Sequence, residues 1–221
     1  VGGCLQDGYQ RIKLKIEPGW DVELARAVRL EFPDILLMLD ANSAYTLKDA
    51  NRLKQLDEFN LLMLEQPLAY DDIYEHSLLQ AQLSTPICLD ESIHTPKHAE
   101  WAYELIACRN INIKPGRVGG LHGGRTIHNL SMERGKPVWI GGMDETGIGR
   151  AANIALASLP GVTLHSDISA SKRYYRQDIA EPLFVLNPDS TINVPTAPGI
   201  GVSIIADQLE TYTQRKIVVS A

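Results

Sequence analysis

ILLMLDANSAYTLKDANRLKQLDEFNLLMLE, residues 35–65, holds two short apolar runs, each closed by a carboxylate, with a polar segment between them. In that segment Thr46 is placed to cap a helix whose Ala50, Leu53 and Leu56 repeat at helical spacing. The stretch therefore reads as strand, helix, strand, ending on Asp40 and Glu65. The pattern continues on both sides. Lys15 closes RIKLK, Asp90 closes ICLD and Lys114 closes INIK, so five ionisable residues end five runs at intervals of 25, 25, 25 and 24 residues. Such an interval fits one strand, one helix and two loops, and the chain reads as consecutive βα units. In a parallel α/β barrel the C-terminal strand ends converge on one face, where residues distant in sequence meet.

Seven strands are expected: Gln10–Ile16, Ile35–Asp40, Leu61–Glu65, Ile87–Asp90, Ile111–Lys114, Val138–Gly141 and Val162–His165. Six helical stretches separate them. The stretch Trp20–Glu31 follows Pro18-Gly19 and sets Val22, Leu24, Ala25, Val28 and Leu30 on one broad apolar face. Another helix is expected to start at Thr95-Pro96, with proline at the first helical position. A complete barrel needs eight strands, and little precedes Gln10, so residues 1–180 are expected to form a (β/α) barrel domain without its first strand. Residues 181–221 change character. Leu183–Leu186 and Thr191–Val194, split by Asn187-Pro188-Asp189, read as a hairpin-like extended tail.

Bulk properties narrow the function classes. A chain of 221 residues, 44% hydrophobic and 22% charged, can bury a substantial core. A net charge of −6, with no basic cluster interleaved with aromatics, argues against a nucleic-acid partner, and no apolar run approaches the roughly 18 residues of a membrane span. A cytoplasmic protein is the simplest reading. Cys4, Cys88 and Cys108 are odd in number and lack CxxC spacing, so neither a disulfide framework nor a zinc knuckle is expected.

Strand alternation decides which side chains share the interior. Lys13 and Lys15 point one way while Ile12, Leu14 and Ile16 face the helices; Asn110, Asn112 and Lys114 share a face, as do Met38, Asp40 and Asn42. Asp40, Glu65 and Asp90 would form an all-oxygen set suited to Mg²⁺ or Mn²⁺ rather than zinc. The alternative reading of the same residues is a set of carboxylates paired with lysines and arginines. No HxH or HExxH supports zinc, and His76, His94, His98, His122 and His128 read as surface or packing residues, with His165 at the mouth.

A divalent cation beside a lysine suits removal of a proton alpha to a carboxylate, with enediolate stabilisation. The base must be neutral when it acts. Burial, the metal and the companion Lys13 would all lower the pKa of Lys15, which is therefore the base candidate. Lys114, from the far side, could protonate the opposite face or support an anion electrostatically. Gly119, Gly120, Gly123 and Gly124 read as turn glycines, since no phosphate-loop motif is present. Gly141 and Met143 would line the mouth, the glycine leaving room for ligand.

These residues resemble the enolase superfamily, itself a standing example of a lysine or histidine base working beside magnesium. The resemblance rests on KLK (13–15), LDAN (39–42), EQP (65–67), DES (90–92) and NIKPGRVGG (112–120). Within it, GGMDETGIGRA (141–151) and SDISASKRYYRQDI (166–179) are similar to the branch of o-succinylbenzoate synthases and N-acylamino acid racemases. The resemblance implies a magnesium-dependent barrel in which Asp40, Glu65 and Asp90 hold the metal and Lys15 and Lys114 flank the substrate. Lys13, Asn42, Glu91, Gly141 and Met143 are supporting residues. It implies a lyase acting on a small carboxylate in menaquinone biosynthesis, or alternatively a racemase in which the two lysines trade roles. It also implies a capping domain, absent from this stretch, against which the tail packs. Leu183, Phe184 and Val185 would then be exposed, and a homo-oligomer or a partner supplying the cap is expected. Two further alternatives are an inert barrel fragment or scaffold, and a Schiff-base aldolase built on Lys114.

Overall fold

The computed structural model describes residues 1–219. The chain opens with helix α1 (Gly2–Gln6) and then alternates strand and helix: β1 (Arg11–Lys15), α2 (Val22–Glu31), β2 (Leu36–Asp40), α3 (Ala50–Leu53), β3 (Leu64–Glu65), α4 (Tyr74–Gln80), β4 (Ile87–Leu89), α5 (Pro96–Glu104), β5 (Asn110–Ile113), α6 (Gly120–Glu133), β6 (Val138–Ile140) and α7 (Gly147–Ala157). A two-stranded ribbon, β7 (Ala180–Glu181) with β8 (Ser203–Ile204), and helix α8 (Ala206–Tyr212) complete it. Strands β1 to β6 form one parallel sheet in sequence order.

Alternation along these strands builds two layers. Ile12, Leu37, Leu39, Leu64, Ile87, Leu89, Ile111, Ile113, Val138 and Ile140 turn outward and join the helices in the main core. Met38, Met63, Cys88 and Trp139 turn inward and form a small, fully buried apolar floor. The sheet curls into an α/β half-barrel, so that Lys13 on β1 meets Asp167 beyond β6 at 2.6 Å. Register puts Lys15 beside Asp40 and Asp40 beside Glu65, which fixes the ordered row of charges on one edge.

Several expected elements differ in detail. Val162–His165 is not a regular strand; the chain from Val162 to Asp167 pairs with β6 and the residue after it at two isolated bridges, Val138 to Val162 and Gly141 to Asp167. Between them the Ile140 amide donates to the Ser166 hydroxyl, and a side chain takes the place of a ladder carbonyl. Trp20 and Leu30 are exposed, so the face of α2 is narrower than expected; Asp21 caps it by accepting from the Val22 amide. Thr46 does open the next helical stretch through a capping box with Asp49, but that stretch is mostly 3₁₀ and ends at Asn60 in the left-handed region. Thr95 caps α5 with Pro96 at its start, as expected.

The tail folds onto the barrel's own last helix. Phe184 is buried against Ala151 and Ile154 of α7, which corrects the expectation that it is exposed; Leu183 and Val185 do face solvent. Only one bridge, Leu186 to Ile192, joins the two expected tail strands. Buried Arg150 on α7 reaches Asp178 at 3.4 Å, and Asp178 accepts the Gly147 amide, tying the tail to the helix start. The last residues of the expected tail, Ser220 and Ala221, lie outside the described residues. Phe184→Ala should cost about 3 kcal/mol in urea unfolding through the cavity it leaves; no change would mean the tail does not pack on α7.

Candidate active site

Five of the six strands of the sheet, β1 to β5, end on, or just before, a charged residue. Lys15 closes β1, Asp40 closes β2 and Glu65 closes β3, while Asp90 and Lys114 directly follow β4 and β5. The strand order therefore sets the carboxylates between two amines. Asp40, Glu65 and Asp90 are all buried. Burial pushes Glu65 up to about 8, helped by the charges of Asp40 and Asp90 and opposed by Lys13.

The carboxylates are turned toward cations. The Lys15 ammonium donates to Asp40 Oδ2 at 2.7 Å and also to Asn42 Oδ1. Lys114 donates to Asp90 Oδ2 at 2.8 Å, and Arg117 to Asp90 Oδ1 at 2.6 Å. Lys13 pairs with Asp167 at 2.6 Å and lies 3.5 Å from both Asp40 and Glu65. Among the described residues no three His, Cys, Asp or Glu side chains stand close enough to cage a metal ion. The chemistry of the donors nevertheless fits a hard divalent cation: the set is all oxygen, and Glu65 Oε2 is buried without a hydrogen-bond partner.

Two of the amines at the mouth are held firmly in the charged form. Burial acts to lower Lys13, but the charges of Glu65, Asp167 and Asp40 outweigh it and raise the amine. Lys114 is raised in the same way, burial being overcome by Asp90. Lys15 has a side chain 64% exposed, so the burial expected to tune it is not there.

Neighbouring residues hold the row in place. Asn42 sits in the left-handed region, its amide accepting from Lys15 and donating to Glu91 at 2.8 Å, so Asn42 links the end of β1 to the turn after β4. Asn112 donates to Glu65 Oε1 at 2.7 Å. A Cβ at Gly141 would fall 2.1 Å from the Asn112 amide oxygen, so this glycine makes room for Asn112 rather than for ligand. Buried Gln66 donates to Leu68 O, Ala69 O and Ser92 Oγ and accepts the Asp90 amide at 3.0 Å, clamping the ends of β3 and β4 together. His76 is buried on α4, with Nδ1 at 2.7 Å from Asp72 Oδ2 and Nε2 accepting the Leu68 amide, which is a packing role. A cleft of about 700 Å³ joins Lys13, Lys15, Lys114, Met143, His165 and Asp167.

Asp167, Asn112, Gln66 and Arg117 carry contacts that sequence reasoning did not assign. Asp167 lies two residues beyond the expected end of its strand; following the alternation from Val162 through Ser166-Asp167 would have brought it to the mouth. Arg117 sits one helical turn after Lys114, a spacing that offered a signal. Gln66 and Asn112 offered none beyond their positions beside Glu65 and Lys114.

Residues 3–208 match the family described as Enolase C-terminal domain-like. The chain is 56% identical over 207 residues to an o-succinylbenzoate synthase of Geobacillus stearothermophilus, covering 94% of this chain and 55% of that protein. It is 55% identical over 218 residues to an N-succinylamino acid racemase of an Amycolatopsis species, covering 98% and 59%. A solved enolase-superfamily structure from Enterococcus faecalis V583 superposes with a TM-score of 0.91 at 46% identity, over 96% of this chain and 57% of the other. More distant, at 27% identity and a TM-score of 0.81, is an E. faecalis dipeptide epimerase complexed with Mg and a dipeptide, matched over 90% and 57%. The chain spans a little over half the length of the curated relatives it matches.

Because the folded state holds the Glu65 proton up to about 8 while an unfolded glutamate releases it near 4.5, metal-free stability falls as pH rises through that window. Glu65→Gln should flatten this fall relative to the unaltered chain in thermal melts at pH 5 and pH 8. Equal slopes would show that Glu65 is not a strained buried acid.

Proposed function

The chain belongs to the enolase superfamily, in the branch of o-succinylbenzoate synthases and N-succinylamino acid racemases, and on that premise we propose that it removes a proton alpha to a carboxylate, in a dehydration of the o-succinylbenzoate synthase type. The observation that carries the reading is the ordered edge of the sheet, an amine on each flank and buried carboxylates between. Asp40, Glu65 and Asp90 would hold Mg²⁺ or Mn²⁺. When bound, the cation draws charge from the substrate carboxylate and so acidifies the adjacent C–H.

The two amines differ in a way that supports a one-base elimination. Lys15, 64% exposed at the mouth beside Asp40 Oδ2 and Asn42 Oδ1, would in its neutral form take the alpha proton and, as the ammonium so formed, hand it to the departing hydroxyl as water leaves. Lys114 is 16% exposed and kept cationic by Asp90, so it supports the developing negative charge without exchanging a proton. The same charge counts against a Schiff-base aldolase, which needs a neutral amine. Racemisation of an N-acylated amino acid is the second reading, favoured by an amine on each flank and by the similarity to a racemase.

Supplied with Mg²⁺ and the cyclohexadiene precursor of o-succinylbenzoate, the chain should form the aromatic product. Lys15→Ala should lower the rate at least roughly 10²-fold and EDTA should abolish it. Turnover indifferent to both would sink the proposal. Retained deuterium uptake from one enantiomer of an N-succinylamino acid in Lys114→Ala, with none from the other, would identify the racemase reading.

The proposal extends to assembly and location. Exposed Leu183, Val185, Ile204 and Leu209 support a homo-oligomer or a partner chain lying against the tail region, and kinship with metabolic enzymes supports a cytoplasmic setting. Sedimentation velocity showing only monomer at all concentrations would count against association.

A further inference from the structure

Among the groups around the mouth, Asp167 is the one whose contacts the proposed reaction leaves unexplained. Its carboxylate is 35% exposed at the rim of the cleft, whereas Asp40 and Glu65 lie sealed behind it. Its backbone is fixed on both sides: the Asp167 amide donates to Ile140 O at 2.9 Å, and its carbonyl accepts from the Gly142 amide at 2.7 Å. A Cβ on Gly142 would come within 2.5 Å of that carbonyl, so the close approach requires glycine there. The carboxylate is thus delivered to one place, and at that place stands the Lys13 ammonium.

Lys13 faces three acids at unequal distance. It lies 2.6 Å from Asp167 Oδ2 but 3.5 Å from both Asp40 Oδ2 and Glu65 Oε2. The last two lie beyond the usual N–H···O range of about 2.7–3.2 Å. Glu65 Oε2 is buried and accepts no hydrogen bond, although an ammonium stands nearby. A buried acid oxygen beside a cation is normally paired with it, because an unpaired polar atom in a low-dielectric interior is costly. Something withholds Lys13, and among the described residues the one acid that stands closer is Asp167.

Resting on the reading that Asp40, Glu65 and Asp90 hold a divalent ion, we propose that Asp167 is a positioning residue that tethers the Lys13 ammonium away from Glu65 and Asp40, keeping their oxygens open to the metal. With its charge removed, Lys13 closes on Glu65 Oε2 and becomes an internal competitor for the cation site. Asp167 touches neither the metal nor the substrate in this role. It acts through Lys13, and its effect disappears when Lys13 is gone.

Mn²⁺ binding to the full chain, followed by electron paramagnetic resonance of free Mn²⁺ and by calorimetry, tests this without reference to turnover. Asp167→Asn should bind roughly tenfold or more weakly, the scale on which residues behind metal ligands act. Lys13→Met should bind at least as tightly as the unaltered chain. Adding Lys13→Met to Asp167→Asn should restore affinity, and Asp167→Glu should retain most of it. Unchanged affinity in Asp167→Asn, weaker binding in Lys13→Met, or a double variant as weak as Asp167→Asn would each overturn the tether while leaving the metal reading intact. No Mn²⁺ binding by the unaltered chain would overturn the metal reading and the tether together.

Discussion

Three buried carboxylates on adjacent strands repel one another, and the mouth of this half-barrel is arranged around that repulsion. Register alone brings Asp40 beside Glu65, and the sheet offers them no water. The protein answers with cations of differing commitment. Arg117 and Lys114 both hold Asp90, Lys15 holds Asp40 from a solvated position, and Lys13 is shared but drawn aside by Asp167. Glu65 is left with one amide donor, Asn112, and one oxygen unpartnered, which makes it the point of greatest electrostatic strain.

The remainder of the fold makes that strain tolerable. An apolar floor of Met38, Met63, Cys88 and Trp139 lies beneath the charges, excluding water and fixing the strand ends from below. Above it, Gln66 locks the turns after β3 and β4, and His76 fixes the Leu68 backbone in the same loop. Asp21 performs a similar service further out, accepting from Arg52 and from Tyr45 and so tying the loop after β1 to the turn after β2. These are rigid supports for the charged groups at the mouth.

The parts of the site legible in the sequence were those governed by period. A charged residue every 25 positions, each closing an apolar run, needs only the strand–helix repeat to be recognised, and Lys15, Asp40, Glu65, Asp90 and Lys114 were found in this way. Thr95-Pro96 was legible for a similar reason, since capping is a local rule. Asp167 was not, because it lies two residues beyond the expected strand end at His165 and meets Lys13 only where the curled sheet brings its two edges together. The raised amines of Lys13 and Lys114 were not legible either, because the number of carboxylates facing each amine is a property of packing.

The amino-acid order by itself determined the βα repeat, the residue closing each strand and the side to which each side chain turns, because these depend on periods of two and of one βα unit along the chain. The curl of the sheet, the placing of Phe184 on α7 and the pairing of Lys13 with Asp167 were decided only in three dimensions. Each joins residues distant in sequence, and such contacts are set by how helices and sheet pack around one core, a constraint that no local pattern encodes.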